Sequence, residues 1–397
     1  AGALTVATGL VIAQRDGVEA VASGPDTTGS WDASLAHHAV IAMGRLGGQE
    51  IGYASDADVL FVHEARDGVG EAAAAQEAEA VAKQVVGLLA SARPHPLEVD
   101  SDLRPEGRQG VMSRSLAAYG EYYGRWAALW ERQALLRARA CAGDRDLGRR
   151  FEELINPLRW AEAGLSSQDL REIRRIKARV ETERLPRGVD PARHLKLGPG
   201  GLSDVEWSAQ VLQLAHAGQI AELRTTSTIA ALQAAVRAGL LSADDGGVLA
   251  AAWILASRLR SAIVLGTGRT SGPRSQVLPV QIREIRLVGR LIGLGSGRER
   301  EFEDMYRRNA RHTRAVVERI VFADGGAQDS SPSAPTPSTS ASGTRNWASI
   351  PVRSADSAKD PRRQAPRGGG AARNPRSRRT GRTRPVRRRP EGPYPWS

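Results

Sequence analysis

The sequence predicts an α+β domain that is followed by a helical domain and a disordered C-terminal tail. Apolar segments typical of strands occur at residues 56–62 and 96–103, and helical periodicity repeats between residues 151 and 322. The residues from about 325 onward are rich in Pro, Ser, Gly and Arg and poor in aliphatic side chains, so they cannot bury enough apolar surface to offset the entropy of ordering. The predicted divisions are a poorly organised N-terminal segment (1–35), an α+β domain (36–150), a helical domain (151–324) and the tail (325–397).

The N-terminal segment shows no convincing helix, and Gly, Asp and Thr cluster there in a predicted loop at Ser23–Ser30. The first predicted strand begins at two aspartates, Asp56 and Asp58, which precede an apolar run. Successive side chains on a strand point to opposite faces, so both carboxylates point to the same side. Paired carboxylates suit Mg²⁺, and paired metal ions commonly assist nucleotidyl transfer. An Asp-x-Asp alone is more often a solvated strand end.

A Gly-Gly turn precedes this strand. Gly47 and Gly48 would let backbone N–H groups approach an anion, and a helix that starts there would add the positive end of its dipole. Ser55 comes directly before the aspartate pair. The combination of the glycines with Asp56 and Asp58 predicts a site for a nucleoside triphosphate.

The second predicted strand, Pro96–Leu103, follows a predicted helix over 70–92. Its acidic side chains share one face, so one of them can reach the same metal ions if the two strands are neighbours. The alternative is an edge strand made soluble by its acids. In the loop that follows, Arg104 and Arg108 are equally suited to binding phosphate or to pairing with a nearby carboxylate.

Aromatic residues at helical spacing predict a long helix over Ser115–Ala140, with the aromatic stripe in the core rather than stacked on a base. In the second half, Ser203 and Glu206 have capping-box spacing and predict a helix start at Ser203. The residues alone favour a structural cap there over a phosphate site. Arg258, Arg260 and Arg311 are interpreted as surface or interface charges. Further helices are predicted near residues 172–184, 228–238, 247–265, 282–291 and 300–322.

The net charge of +12 lies in the tail. Residues 345–397 contain 15 basic and three acidic residues, so the first 344 residues carry no net charge. The Arg clusters could bind polyanions such as nucleic acid weakly, although a solvated tail is the better interpretation. One cysteine, the lack of a signal-peptide pattern and the lack of an apolar run of ~18 residues predict a cytoplasmic protein with no membrane partner.

Four stretches resemble the glutamine synthetase adenylyltransferase family, which belongs to the polymerase-β-like nucleotidyltransferase superfamily. They occur in the order typical of that family and span roughly residues 39–320. In one-letter code they are GRLGGQEIGYASDADVLF (44–61), VDSDLRPEGRQG (99–110), WAALWERQALLRAR (126–139) and KLGPGGLSDVEW (196–207).

This resemblance implies a polymerase-β-like nucleotidyltransferase domain, a small mixed sheet with helices, at residues 36–150. It implies that Asp56, Asp58 and Asp100 are the catalytic residues and hold Mg²⁺. It also implies ATP as substrate. The implied ATP-binding residues are Gly47, Gly48, Ser55, Arg104 and Lys196, and the secondary candidates are Glu131, Gln133, Arg139, Asp204 and Glu206. Many members have Arg where this chain has Asp102.

The resemblance implies transfer of AMP from ATP to a tyrosine hydroxyl of glutamine synthetase, with a PII-type nitrogen regulatory protein as a second partner. Family members carry one domain that attaches AMP and another that removes it by phosphorolysis. The signature around Asp56 is more similar to the attaching copy, and the removing copy is the first alternative. A nucleotidyltransferase with a different acceptor is the second alternative, and a non-catalytic polyanion-binding protein is a more distant one.

Overall fold

The computed structural model describes residues 2–16, 33–93, 96–270 and 272–322. The predicted α+β character is confirmed: a small mixed sheet with flanking helices is followed by a series of helices. The predicted loop Ser23–Ser30 and the predicted tail lie outside the described residues. In chain order the elements are α1 (Gly2–Arg15), β1 (Ala36–Ala42), α2 (Gly44–Gly47), β2 (Ala57–Ala65), α3 (Glu71–Ser91), β3 (Val99–Asp100), β4 (Ser113–Ser115), α4 (Leu116–Trp126), α5 (Leu129–Leu135), β5 (Arg139–Gly143), α6 (Arg145–Arg159), α7 (Ser167–Glu183), α8 (Leu202–His216), α9 (Thr228–Arg237), α10 (Ala243–Thr267), α11 (Ile282–Leu291) and α12 (Glu301–Val317).

The sheet is centred on β1 and β2, which pair antiparallel. β5 pairs antiparallel with β1, and the short strands β3 and β4 pair parallel with β2, which gives the order β3-β2-β1-β5 with β4 beside β2. Since parallel strands need a crossover connection, α3 links β2 to β3. This crossover brings the start of β3 next to the start of β2.

The two faces of the sheet are covered by different helices, as the alternation of side chains along a strand requires. Val59 and Phe61 pack with Val81 and Val85 of α3 and with Leu4 of α1. Residues of opposite parity, among them Leu60, pack in a separate cluster. That cluster contains Ile41, Leu60, Val62, Tyr119, Tyr123, Leu135, Phe151 and Ile155. The sheet is therefore buried on both sides, and the predicted core position of the aromatic stripe is confirmed for Tyr119 and Tyr123.

The prediction of a poorly organised N-terminal segment is wrong for residues 2–15, which form α1. Leu4, Ala7, Thr8 and Ile12 are buried, and their spacing of three and four residues places them on one helical face. The face is made mostly of small residues, so its periodicity is weak in the sequence. Packing against α3 stabilises a helix that the sequence pattern does not reveal.

The predicted helix over Ser115–Ala140 is also wrong, because the chain forms α4, α5 and then β5. Glu131 closes the N-terminus of α5 by accepting a hydrogen bond from the N–H of Ala128 (2.8 Å). β5 covers the free edge of β1, where a Cβ on Gly143 would lie 2.1 Å from the carbonyl oxygen of His38. For β5, pairing with the edge of β1 therefore outweighs the helix propensity of its own residues.

The predicted strand Pro96–Leu103 is shorter than expected, since only Val99 and Asp100 pair with β2. The Asp100 carboxylate accepts a hydrogen bond from the N–H of Asp102 (2.7 Å). This local turn competes with continued strand pairing and ends β3 directly after Asp100.

Helix α10 is the central helix of the second half of the chain. By length and composition alone it could cross a membrane. In this fold it packs against α8, α9, α11 and α12, and Leu249, Leu259 and Ile263 are fully buried. Its apolar composition therefore matches its position in the core. The helices predicted near residues 228–238, 247–265, 282–291 and 300–322 are present as α9 to α12.

Glu77 of α3 binds the chain segment that directly precedes β1. Its carboxylate accepts hydrogen bonds from the Ser34 hydroxyl (2.6 Å) and the N–H of Leu35 (2.8 Å), and it pairs with Arg15 of α1 (2.8 Å). Burial opposes ionisation of Glu77, but hydrogen bonds from His38, Ser34 and Leu35 outweigh it and lower its pKa to about 2. The ionised carboxylate therefore stabilises the fold.

We expect Glu77→Gln to lower the free energy of unfolding at pH 7 by about 2–4 kcal/mol, because buried donors lose a charged acceptor. The folded-state pKa lies below the ordinary value of 4.5, so this stabilisation is present above pH 4.5 and is lost as the pH falls towards 2. Urea unfolding of the wild type and the variant should accordingly converge over that range. Glu121→Gln, at an exposed position of α4, is the control. Parallel acid-unfolding curves for the wild type and Glu77→Gln would contradict the prediction.

Candidate active site

The paired strands β2 and β3 bring three carboxylates together. Asp58 and Asp100 are directly opposite each other in the parallel register, and Asp56 directly precedes the first residue of β2. One carboxylate oxygen from each of the three residues lies within 4.8 Å of the other two. The structure thus gathers the three residues that the sequence analysis selected as catalytic.

Their electrostatics favour a bound cation. Burial raises the pKa of Asp58 to about 7, with further contributions from the negative charges of Asp56 and Asp100. Burial also raises the pKa of Asp100, against the opposing effect of the hydrogen bond from the N–H of Asp102. Three close carboxylates with oxygen donors only are a set that suits Mg²⁺, whose charge would relieve their mutual repulsion.

Gly44 lies beside this cluster and was not selected as a site residue. Its φ of 49° is in the left-handed region, and a Cβ on it would lie 2.2 Å from Oδ2 of Asp58. Glycine is required at this position because any side chain would occupy the space next to that carboxylate oxygen. The sequence could have indicated this requirement for glycine, since Gly44 is the first residue of the motif at 44–61.

Gly47 and Gly48 have a packing role. A Cβ on Gly47 would lie 1.8 Å from the carbonyl oxygen of Arg137, and one on Gly48 would lie 2.4 Å from Nη1 of the same residue. Their N–H groups donate to the carbonyl oxygens of Met43 (2.7 Å) and Gly44 (3.1 Å). The N–H groups that we expected to face a phosphate are therefore used inside the turn of α2, and a phosphate role for these glycines stays a prediction.

Ser55 offers a hydroxyl next to the carboxylates. Its Oγ is buried and has no hydrogen-bond partner among the residues that the structure describes. It lies near α10, since the Cβ that Gly52 lacks would be 3.7 Å from Ser55 Oγ and 3.9 Å from Ser261 Oγ. A buried hydroxyl without a partner costs free energy, and a ligand oxygen at this position would remove that cost.

Arg104 holds the loop after β3. Its guanidinium donates to the carbonyl oxygen (2.8 Å) and hydroxyl (3.0 Å) of Ser101 and to the carbonyl oxygen of Gly110 (3.0 Å). Arg108 pairs with Asp102 (2.6 Å), which gives a partner to the acid that departs from the family pattern. Phosphate binding by Arg104 stays a prediction, because its donors already serve this loop.

A second group of charges faces the carboxylates from the helical half. Burial lowers the pKa of Lys196; the negative charges of Glu206, Asp56 and Asp58 oppose this shift, and Arg260 adds to it. Asp56 also acts on Arg260. Lys196, Glu206 and Arg260 are therefore close enough to the aspartates for their charges to interact. Arg260, which was interpreted as a surface or interface charge, is only partly exposed.

Comparison with known proteins places this site in a family. Residues 13–154 match the family model described as glutamate-ammonia ligase adenylyltransferase, and residues 173–321 match the one described as GlnD PII-uridylyltransferase. The chain belongs to the glutamine synthetase adenylyltransferase family. The first match contains Asp56, Asp58 and Asp100, and the second contains Lys196 and Arg260.

Relatives within this adenylyltransferase family include proteins from Streptomyces coelicolor (55% identical over 287 residues), Streptomyces avermitilis (52% over 286) and Nocardia farcinica (50% over 293). Each is named bifunctional glutamine synthetase adenylyltransferase/adenylyl-removing enzyme. The first two alignments cover 72% of this chain and 28% of the relative, and the third covers 73% and 29%. The chain therefore spans less than a third of the length of these relatives.

The secondary candidates from the family motifs have structural contacts. Asp204 binds the buried Lys177 and the N–H of Gly200 (2.7 Å), and Gln133 donates to Gln210 (2.7 Å). Arg139 donates to the carbonyl oxygens of Leu46 and Gly47, and Glu131 caps α5. The helix start predicted at Ser203 is also corrected, because Gly201 is the N-cap of α8 and the N–H of Ser203 donates to Lys196 O (3.0 Å).

Helix α2 and the segment that connects it to β2 are anchored to the helical half, which the sequence analysis did not predict. Glu50 accepts hydrogen bonds from the N–H of Thr228 (2.6 Å) at the start of α9 and from Arg137 (2.7 Å). Arg45 donates to Ser257 of α10 (3.2 Å), with its guanidinium 4.9 Å from the ring centroid of Trp253. These contacts fix the orientation of the carboxylate cluster relative to α9 and α10.

Proposed function

We propose that this chain transfers AMP from ATP to a tyrosine hydroxyl of glutamine synthetase and releases pyrophosphate. The observation that carries the proposal is the convergence of Asp56, Asp58 and Asp100 at the paired starts of β2 and β3. The names of the relatives from the two Streptomyces species support the acceptor. We also propose a polymerase-β-like nucleotidyltransferase domain at residues 36–150, followed by an all-α helical bundle domain at 151–324.

Mg²⁺ fits this donor set, and Asp56, Asp58 and Asp100 would hold it. When bound, Mg²⁺ would neutralise negative charge on the triphosphate as it develops during the reaction. The chain's own contribution is to place the acids on two rigid, paired strands, so that little reorganisation is needed during the reaction.

In the proposed reaction the tyrosine oxygen attacks the α-phosphorus of ATP in line with the leaving group. A bond forms between that oxygen and the α-phosphorus as the bond to the β-phosphate oxygen breaks, and pyrophosphate leaves. The proton of the tyrosine hydroxyl passes to the carboxylate of Asp100, which lies in the cluster beside Asp56 and Asp58. Ser55 and Lys196 would bind the leaving phosphates.

The function is tested by incubating the chain with glutamine synthetase and ATP labelled in its α-phosphate. We expect label on glutamine synthetase, and none when its acceptor tyrosine is changed to Phe. A second reaction contains inorganic phosphate and glutamine synthetase that already carries labelled AMP. Release of labelled ADP there, with no transfer in the first reaction, would favour the adenylyl-removing activity that also appears in the names of the relatives. Label on RNA or a small molecule instead would overturn the proposed acceptor.

We further propose a PII-type regulatory protein as a partner of residues 173–321. The support is the match of this segment to the family described as GlnD PII-uridylyltransferase. Titration of the chain with a PII protein in a calorimeter tests this, and the proposal fails if neither the unmodified nor the uridylylated form binds.

A further inference from the structure

One face of α10 packs against α2 and the motif segment that connects α2 to β2. Trp253, Ser257 and Ser261 lie on this face at spacings of four residues, and they contact or lie near Arg45 and Gly52. Arg260, seven residues after Trp253, is on the same side of the helix. Helix geometry therefore places Arg260 on the side of α10 that faces this segment, and the charge of Asp56 acts on it.

Neither Arg260 nor Lys196 has a hydrogen-bond or ion-pair partner for its side chain among residues 2–16, 33–93, 96–270 and 272–322. Burial lowers the pKa of Arg260 to about 10, and the nearby charge of Arg45 adds to this effect while Glu206 and Asp56 oppose it. Two cations are thus held near each other in a partly buried site without a directly bonded anion. Such an arrangement is unfavourable unless an anion binds between them.

The other charges of the site are also not bonded to one another. Asp56, Asp58 and Glu206 form no ion pair within the described ranges, although each is close enough to affect the charge of Lys196. The acids on the sheet and the cations on the helical half are therefore separated. The carboxylates suit a metal ion, and the cations suit the phosphates that such an ion would accompany.

We propose that Arg260 and Lys196 together bind the β- and γ-phosphates of ATP, while the α-phosphate lies at the carboxylates. The inference rests on the proposed function and adds Arg260 to its nucleotide site. Arg is well suited to this task, because its planar guanidinium can contact two phosphate oxygens at once and stays charged. ATP would then be bound by both halves of the chain, and the leaving pyrophosphate would be held by the helical half.

The test compares Arg260→Met with Arg258→Met in calorimetric titrations with ATP and AMP in the presence of Mg²⁺. Arg258 is an exposed residue of the same helix whose guanidinium donates to the carbonyl oxygen of Ile292 (3.1 Å), away from the site. We expect Arg260→Met to weaken ATP binding about 10- to 100-fold, as loss of a charged hydrogen bond does, and to change AMP binding less than about threefold. Arg258→Met should bind both nucleotides like the wild type.

Thermal unfolding without nucleotide separates a binding role from a structural one. Removal of a buried cation that lacks a bonded partner should leave the melting temperature of Arg260→Met equal to or above that of the wild type. A lower melting temperature, an unchanged ATP affinity or an equal loss for ATP and AMP would each overturn the inference. If the wild type binds no ATP at all, the proposed function itself fails.

Discussion

The double replacement Asp56→Asn with Asp58→Asn is expected to lower the rate of AMP transfer by about 10⁴-fold or more. Asn keeps the shape of the side chain but removes the negative charge that a metal ion needs, and the lost charge stabilisation is worth several kcal/mol at about 1.4 kcal/mol per tenfold in rate. The fold should persist, because the three acids repel one another and burial raises the pKa of Asp58 to about 7. Label transfer to glutamine synthetase and thermal unfolding measure the two effects.

The control for this variant is Asp102→Asn. Asp102 is an acid two residues after Asp100, but its carboxylate pairs with Arg108 and is not part of the cluster. Transfer by the control should stay within about threefold of the wild type, since no charge at the reacting atoms changes. Transfer by the double variant at a rate close to that of the wild type would show that the chemistry does not depend on these carboxylates.

The part of the site that could be predicted from the sequence lies in short, local patterns. Strand alternation places Asp56 and Asp58 on one side of β2, and the strand–helix–strand order makes a parallel neighbour with Asp100 reasonable. The sequence could not give the register, which depends on how α3 packs, and the residues alone left three acids open on the second strand. The family motif selected Asp100, and the pairing of Asp58 with Asp100 agrees with that choice.

The parts that could not be predicted depend on contacts between distant residues. Glu50 binds Thr228, and Arg260 is close enough to Asp56 for their charges to interact, only because the helical half folds back over the motif segment. In the sequence, Arg260 is one of several arginines in helices and has no local feature that distinguishes it. The same reason explains why β5 was missed, since its residues form a strand only beside the edge of β1.

The second large effect is expected at Lys177, where the structure reassigns Asp204 from the active site to the core. Lys177 and Asp204 have side chains that are 2% and 3% exposed, and they form an ion pair between α7 and α8. Glu181 contacts Lys177 (2.9 Å) and Arg314 of α12 (2.8 Å), so the pair belongs to a network that joins three helices. We expect Lys177→Met to lower the free energy of unfolding by about 3–5 kcal/mol, because it leaves a buried carboxylate without its main partner.

Urea unfolding at pH 7 measures this loss, with Arg179→Met as the control. Arg179 is an exposed residue of the same helix whose contact with Glu183 is 3.9 Å long, so its loss should cost less than about 1 kcal/mol. Below the midpoint of its unfolding curve, Lys177→Met should bind ATP within about threefold of the wild type, because the ion pairs of this network do not include the three aspartates. A large loss of ATP affinity with unchanged stability would return Asp204 and its partner to the nucleotide site. The expected pattern instead separates the two acids of the motif at 196–207: Asp204 stabilises the helical half, and Glu206, two residues later, is the one whose charge acts on Lys196 and Asp58.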